Sequence, residues 1–265
     1  MTQTVPAFGE RLRQWRQHRR LSQLDLALDA EISTRHLSFM ETGRAQPSRE
    51  MVLKLAEQLD VPLRERNALL TAAGFAPVFS ERPLSDAAMA PARRAVEMVL
   101  KGHDPFPALA VDRHWNLVAA NEAVGPLLAG VAPMLLAEPV NVLRLALHPD
   151  GLAPRTVNLG QWRKHLLERL ERQAEASGDP MLAELLAELE AYPAPDEHGE
   201  DDDFAWVAVP LKLASDAGVI SLFSTVTVFG APSDLTLAEL ALEAFFPADE
   251  ATAEVLRALA EGRKG

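Results

Sequence analysis

The segment from Ser22 to Gly43, SQLDLALDAEISTRHLSFMETG, constrains the fold of this chain more than any other. It predicts two short helices joined by a tight turn. Ser22 can cap the first helix, and Asp25, three residues later, completes a capping box. Ser33 can cap the second helix, and Gly43 can end it in the left-handed conformation. The segment therefore predicts a closely packed pair of helices with defined ends.

The second predicted helix has a polar outer face. Leu37 and Met40 fall on its inner side. An arginine can donate two hydrogen bonds to guanine, serine and threonine can bond to any base, and phenylalanine can pack on a thymine methyl. The major groove of DNA admits one such helix. We therefore predict sequence-specific binding of double-stranded DNA through the outer residues, with an ordinary helical bundle and solvated side chains as the alternative: Thr34, Arg35, Ser38 and Phe39.

Four motifs extend this prediction to a known family: LSQ at 21–23, ISTRHLSFMETG at 32–43, PSREMVLKLAEQLDV at 47–61 and LLTAAGF at 69–75. From about Phe8 to Phe75 the chain resembles the XRE-type helix-turn-helix of the Cro and lambda-repressor-like family. The resemblance implies a role for nine residues: phosphate contacts by Ser22, Gln23 and Ser33, base contacts by Thr34, Arg35, Ser38 and Phe39, and a buried ion pair between Arg16 and Glu41.

Glu31 departs from the pattern of that family, in which many members carry glycine in the turn. A left-handed residue other than glycine costs roughly 1 kcal/mol at such a position. We expect the turn geometry, and not the fold, to be affected.

The charge of the chain is divided unequally between its two parts. The net charge is −12, yet residues 1–75 carry 11 Lys and Arg against 9 Asp and Glu, a net of +2. Basic residues cluster from Arg11 to Arg20 and recur at Arg35, Arg44 and Arg49. The basic charge thus lies in the segment predicted to touch phosphates, and we add Arg44 and Arg49 to the DNA-binding residues.

Composition narrows the remaining classes of protein. The chain has 265 residues, of which 48% are hydrophobic, and no cysteine, which excludes disulfides and thiolate chemistry. We find no apolar segment typical of a signal peptide and no run of 18 apolar residues. We therefore expect a cytoplasmic protein that does not bind membranes.

The chain divides into three predicted regions. Apolar periodicity predicts five helices in residues 1–75, the helix-turn-helix DNA-binding domain. Residues 76–107 are a predicted linker in which proline-bearing breaks flank a connecting helix, which could act as a lever, a dimer contact or a plain spacer. Residues 108–265 carry β-prone runs as well as helices and are predicted to form a second domain.

The second domain is predicted to be of the α+β class. ALAVD and WNLVAA predict two strands, and DFAWVAVPLKLA and GVISLFSTVTVFG predict two more. Helices are expected at NEAVGPLLAG, capped by Asn121, at NVLRLALH, LGQWRKHLLERLERQAEA and PMLAELLAELEAY, and at TLAELALEAFF and ADEATAEVLRALAEG near the end. PAPDEHGEDDD is expected to be an acidic loop.

This order of elements resembles a PAS-type domain with an antiparallel sheet, and most closely the ligand-binding domain of MmyB-like transcription regulators. The resemblance rests on DRHWNLVAAN at 112–121, NVLRLALHP at 141–149, the helix around Trp162 and SLFSTVTVFG with TLAELALEAFFPAD. It implies a small apolar ligand, such as a fatty acid. A domain that serves only dimerisation or contact with another protein is the alternative.

A sheet packed on helices can enclose an apolar cavity. Arg144 could anchor a ligand carboxylate there, but we favour an internal ion pair with a glutamate, such as Glu239 or Glu243. The predicted lining residues, which could equally fill a core, are Trp115, Leu117, Leu143, Trp162, Leu166, Phe223 and Val226.

The sequence indicates no catalytic or metal site. The seven histidines are scattered without metal-ligand spacing, and no nucleophile elbow or phosphate-binding glycine loop is present. We expect no enzyme activity, no cofactor and no metal. The prediction is a transcription regulator that binds an operator as a homodimer and senses a small apolar ligand.

Overall fold

The computed structural model describes residues 7–193, 209–229 and 234–262. The chain divides into two units, Met1–Arg82 with Ser233–Leu235, and Pro83–Pro232 with Thr236–Gly265. The predicted acidic loop and the first residues of the predicted strand DFAWVAVPLKLA lie largely outside the described residues.

The first unit contains the five predicted helices: α1 (Phe8–His18), α2 (Gln23–Asp29), α3 (Thr34–Glu41), α4 (Arg49–Gln58) and α5 (Leu63–Ala72). Serine side chains cap the starts of α2, α3 and α4 by accepting a hydrogen bond from the third backbone N–H of each helix. Apolar side chains from all five helices form one core, in which Leu12, Leu26, Leu37, Leu55 and Leu70 have no exposed surface.

Two backbone positions hold these helices at close range. A Cβ atom at Gly9 of α1 would lie 2.5 Å from the backbone oxygens of Met40 and Glu41, so only glycine lets α1 approach the end of α3. Glu31, after α2, has a φ of 55°, the left-handed conformation anticipated for that turn. Its carboxylate accepts a 2.8 Å hydrogen bond from Lys54 of α4. The turn thus forms with a glutamate where glycine would be unstrained.

The second unit is built on a five-stranded antiparallel sheet: β1 (Ala108–Val111), β2 (Leu117–Ala120), β3 (Leu211–Ser215), β4 (Gly218–Val228) and β5 (Ala241–Pro247). The strand order is β2-β1-β5-β4-β3. The helices of this part are α6 (Ala90–Gly102), α7 (Val142–Leu147), α8 (Leu159–Ser177), α9 (Pro180–Glu190), α10 (Leu235–Ala238) and α11 (Glu250–Gly262). The α+β class with an antiparallel sheet is as predicted.

Apolar side chains cover both faces of the sheet. Leu109 and Val111 of β1 join the large cluster that also contains Trp115 and Trp162. Ala108 and Ala110 alternate with them and contact a smaller cluster on the opposite face. That cluster includes Val96 and Leu100 of α6, so the helix predicted within the linker packs on the sheet through its apolar side.

Strand β5 corrects the sequence prediction, which assigned TLAELALEAFF to one helix. Only Leu235–Ala238 is helical, and Ala241–Pro247 is the central strand. Alanine, leucine and glutamate favour a helix in isolation. Pairing with β1 on one side and β4 on the other satisfies the backbone of β5 and buries Leu242 and Glu243, which outweighs that preference.

A second correction concerns NEAVGPLLAG, predicted as a helix capped by Asn121. The segment forms turns and a short 3-10 helix, Gly125–Leu128. The Asn121 side chain instead accepts a hydrogen bond from the backbone of Ala108 and donates one to the oxygen of Phe106. It therefore ties the ends of the β1–β2 pair together, and its amide does not cap a helix.

Candidate DNA interface and ligand cavity

The outer face of α3 presents the residues predicted to read bases. The Ser33 hydroxyl caps the helix by accepting from the backbone N–H of His36 at 3.1 Å. Leu37 and Met40 are completely buried, which fixes the rotation of the helix. Arg35 is exposed, whereas Thr34, Ser38 and Phe39 are half-buried. The Arg35 guanidinium lies 5.2 Å from the centre of the Phe39 ring.

The start of α2 holds two of the residues predicted to contact phosphates. Ser22 and Asp25 form the predicted capping box, with hydrogen bonds of 3.1 and 2.9 Å. The Ser22 hydroxyl lowers the pKa of the Asp25 carboxyl, so this cap is charged at neutral pH. The Gln23 side chain donates to the Glu41 carboxylate at 2.8 Å. That amide nitrogen is thus engaged with α3, a contact that sequence reasoning did not anticipate.

Arg16 and Glu41 lie together as a buried ion pair. Arg16 Nε donates to Glu41 Oε1 at 2.7 Å, and Nη2 donates to Oε2 at 3.0 Å. Their exposed fractions are 8% and 9%. A third bond joins Arg16 Nη1 to the Leu21 oxygen at 2.8 Å, and the Glu41 hydrogen bond raises the pKa of Arg16. The pair therefore ties α1 and the start of α2 to the end of α3.

Arg44 and Arg49, which follow α3 in the sequence, are both exposed. Exposed guanidinium groups can donate hydrogen bonds to the phosphates of a DNA duplex without any change in the core of the unit. Together with α3 they give the first unit an exposed set of basic and polar side chains. Such a set suits a nucleic acid duplex, because basic groups can bind its phosphates and polar groups can bond to its base edges.

A cavity of about 90 Å³ lies between the sheet and the helices of the second unit. It is of the same order as an apolar cavity of roughly 150 Å³ that stays dry and takes up benzene. All its lining residues are apolar except Glu243. Five of the predicted lining residues border it: Trp115, Leu117, Leu143, Trp162 and Leu166.

Two predicted lining residues lie elsewhere. Phe223 stacks on Phe246 with the ring centres 5.4 Å apart, and Val226 is 45% exposed. Leu222 is the β4 residue that borders the cavity. Residues three apart on a strand point to opposite faces, so Phe223 and Val226 could not both line one cavity.

Arg144 is also absent from the described lining of the cavity. Its guanidinium donates to both oxygens of Glu188 on α9, at 2.8 and 2.7 Å. Arg144 therefore forms an internal ion pair with a glutamate, as predicted, but the partner is Glu188 and neither Glu239 nor Glu243. Glu188 itself accepts a 2.6 Å hydrogen bond from Tyr192. Burial, and then this hydrogen bond, raise the pKa of Tyr192 to about 12.

Glu243 borders the cavity, although the sequence prediction did not include it among the lining residues. It is 5% exposed, and its Oε1 accepts hydrogen bonds of 2.9 Å from both Arg169 and Ser224. The Arg169 guanidinium lies 4.4 Å from the centre of the Trp115 ring. Alternation along β5 places Glu243 on the same face as Phe245, whereas the predicted helix does not place the two residues on one face.

The wall of the cavity also contains an unsatisfied donor. The indole N–H of Trp162 is buried and has no acceptor in the described part of the chain. A buried donor without a partner costs about 1–3 kcal/mol. The ring of His165 stacks on that of Trp162 at 5.6 Å, and burial lowers the pKa of His165.

Within residues 7–193, 209–229 and 234–262, no group of three or more histidine, aspartate or glutamate side chains is arranged to hold a metal ion. None of the helices in those ranges has the length and apolar character needed to cross a membrane.

Comparison with known families agrees with both units. A helix-turn-helix family model matches residues 12–66. The model described as "MmyB-like transcription regulator ligand binding domain" matches residues 92–259, more than half of the chain. No curated protein matches the chain significantly. The chain belongs to the MmyB-like transcription regulators and is a DNA-binding transcription regulator with a ligand-binding domain.

Proposed function

We propose that this protein binds an operator as a homodimer, and that a small apolar molecule, such as a fatty acyl chain, binds in the cavity and controls that binding. The cavity wall carries the ligand part of the proposal, because its side chains are apolar apart from one carboxylate. The proposal places the protein in the cytoplasm, where it acts without catalysis, metal or cofactor.

The DNA part of the proposal assigns the base contacts to α3. Thr34, Arg35, Ser38 and Phe39 would enter the major groove, and the exposed groups at the start of α2 and after α3 would contact phosphates. In a homodimer the two copies of α3 would read half-sites about 10 base pairs apart. Selection from random duplex DNA with the full chain tests this. A palindromic consensus with that spacing is the expected result, and the absence of any consensus contradicts it.

The ligand would act through a difference in affinity between two states of the protein. A ligand shifts an equilibrium only as far as it binds one state more tightly than the other. The apparent operator affinity should therefore change when the cavity is filled, and the operator should change ligand affinity by the same factor.

Native mass spectrometry of the gently purified full chain tests for the ligand directly. An additional mass that corresponds to a fatty acyl molecule, and that disappears after extraction with organic solvent, is expected. A chain that carries no molecule, binds no apolar compound and still dimerises would instead favour a second unit that serves dimerisation or protein contact alone.

A further inference from the structure

We infer that Arg35 and Phe39 act as one unit of recognition, which reads a guanine and a thymine in neighbouring base pairs of the operator, on either strand. Arg35 bonds to the guanine, and Phe39 covers the thymine methyl and positions Arg35. This inference rests on the proposed function, because it specifies the DNA sequence that α3 would read. It is drawn from one juxtaposition, the Arg35 guanidinium against the Phe39 ring on the outer face of α3.

The Phe39 ring restricts the position of the Arg35 side chain. The two residues lie one helical turn apart on the same face of α3. The guanidinium carbon of Arg35 is 5.2 Å from the centre of the Phe39 ring, within the range of a cation–π contact. A long side chain that is already held near its bound position loses less freedom when it binds, so the contact favours a defined bond from Arg35 to a base.

The donors of Arg35 are available to DNA. Among the residues that the structure describes, none forms a hydrogen bond or an ion pair with Arg35. Glu41 is the only acidic residue of α3, and its buried carboxylate is bonded to Arg16 and Gln23 instead. The guanidinium therefore presents a planar fork of donors, which matches the O6 and N7 acceptors of guanine.

The Phe39 ring is available to an apolar group of the DNA. The inner side of α3 is formed by Leu37 and Met40, which have no exposed surface. Phe39 is half-buried, and it is absent from the apolar core of the first unit as far as the structure describes that core. The methyl group of thymine is the apolar group that bases display in the major groove, so it is the group that this ring can cover.

The distance between the two side-chain groups sets the spacing of the two bases. Successive base pairs are about 3.4 Å apart along the duplex, and the pair after the next is about 6.8 Å away. Groups that touch at 5.2 Å can serve neighbouring pairs together, whereas pairs farther apart would require them to separate. Cytosine, the partner of guanine, carries no methyl group, so the methyl comes from the neighbouring pair.

Two modified bases test the inference with the full-length wild-type protein. Selection from random duplex DNA first gives the consensus, in which each half-site should contain a guanine beside a thymine. Replacement of that thymine by deoxyuridine removes only the methyl group and should weaken binding about fourfold. Replacement of the guanine by 7-deazaguanine removes the N7 acceptor and should weaken binding about tenfold. The same replacements in the sequence that flanks the consensus are the control and should have no effect.

Variants assign each base to its side chain. Phe39→Ala should abolish the effect of deoxyuridine and, because Arg35 loses the ring beside it, should also reduce the effect of 7-deazaguanine. Phe39→Tyr keeps the ring and should retain the effect of 7-deazaguanine. Arg35→Lys keeps the charge but not the fork, and should reduce the effect of 7-deazaguanine while leaving that of deoxyuridine. Leu28→Ala is the matched control, since it truncates a side chain of α2 that is 67% exposed, and should behave as the wild type.

The outcomes separate the inference from the proposed function. A consensus without a guanine beside a thymine overturns the inference and leaves operator binding intact, and so does deoxyuridine that binds the wild type as tightly as thymine. An undiminished effect of deoxyuridine in folded Phe39→Ala removes Phe39 from the contact and overturns the inference as well. The absence of any consensus contradicts both. The modified bases are measured with the wild-type chain, so they decide the inference even if a variant does not fold.

Discussion

Each unit contains an ion pair between an arginine and a buried glutamate, but the surroundings of the two pairs differ. Both oxygens of Glu41 receive hydrogen bonds, from Arg16 and Gln23, beside the helical core of the first unit. Glu243 is bonded through one oxygen and borders a cavity. The same kind of ion pair therefore joins helices in the first unit and lies at the edge of a cavity in the second.

The largest expected effect comes from breaking the Arg16–Glu41 ion pair of the first unit. Arg16→Met should destabilise the first unit by about 3–5 kcal/mol, because Glu41 would remain buried without its counter-ion. Denaturant titration followed by hydrogen exchange in α1 and α3 measures it. Lys54→Met, which removes the exposed partner of Glu31, is the control and should change little. A variant of Arg16 that is as stable as the control would show that the pair is dispensable.

Truncation of a core leucine should cost different amounts of stability in the two units. Leu37→Ala and Leu166→Ala should each cost about 2–5 kcal/mol, with the smaller loss at Leu166. Leu37 is completely buried in the core of the first unit, whereas Leu166 borders a cavity, and a side chain beside empty space has fewer dispersion contacts to lose. Hydrogen exchange in α3 and α8 reports each unit by itself. The reverse order of losses would contradict a cavity beside Leu166.

The exposed face of α3 gives an effect on binding and not on folding. Arg35→Ala should relax operator specificity by about 1–3 kcal/mol at one base pair if Arg35 donates two hydrogen bonds to guanine. Selection from random DNA, followed by titration of single-base variants, measures it. Arg44→Ala should instead weaken binding to all sequences and reduce the salt dependence. An unchanged sequence preference in Arg35→Ala would remove Arg35 from the base contacts.

The smallest expected effect is a pH dependence confined to the second unit. Burial, and then the nearby Arg169, lower the pKa of His165 from its ordinary value of 6.5. The unfolded chain therefore binds the proton of His165 more tightly than the folded chain does. The contribution of neutral His165 to the free energy of unfolding is thus present above about pH 6.5, and it is lost as the pH falls through the lower pKa of the folded state. Thermal unfolding between pH 5 and 8 should show this slope.

His165→Gln should flatten that slope, because it removes the group that takes up the proton. Equal slopes in the variant and in the wild type would show that His165 is not the group responsible.

The first unit was largely predictable because its signals are local. The capping serines, the spacing of Leu37 and Met40 and the positive φ at the end of α2 all depend on residues a few positions apart. Side-chain contacts between residues far apart in the chain were harder to predict from the sequence. The bond from Gln23 to Glu41 joins residues 18 apart and followed from no local pattern.

The second unit shows where such reasoning stops. Local composition favoured a helix at 241–247, but two neighbouring strands decided otherwise. The faces of Phe223 and Val226, and the partner of Arg144, likewise depended on strand register and on a helix far along the chain. The omission of Glu243 from the cavity residues followed from the error in β5, since Glu243 faces the cavity only when its segment is a strand.

The sequence by itself determined the five-helix unit, the class of the second unit and most of the apolar wall, because caps, turns and apolar periodicity act over a few residues. Only the tertiary structure decided that a central strand brings Glu243 against Arg169 and Ser224 at the edge of a cavity. The physical reason is that strand pairing and the burial of charge are settled by residues distant in the chain, whose energies exceed the local preference of any one segment.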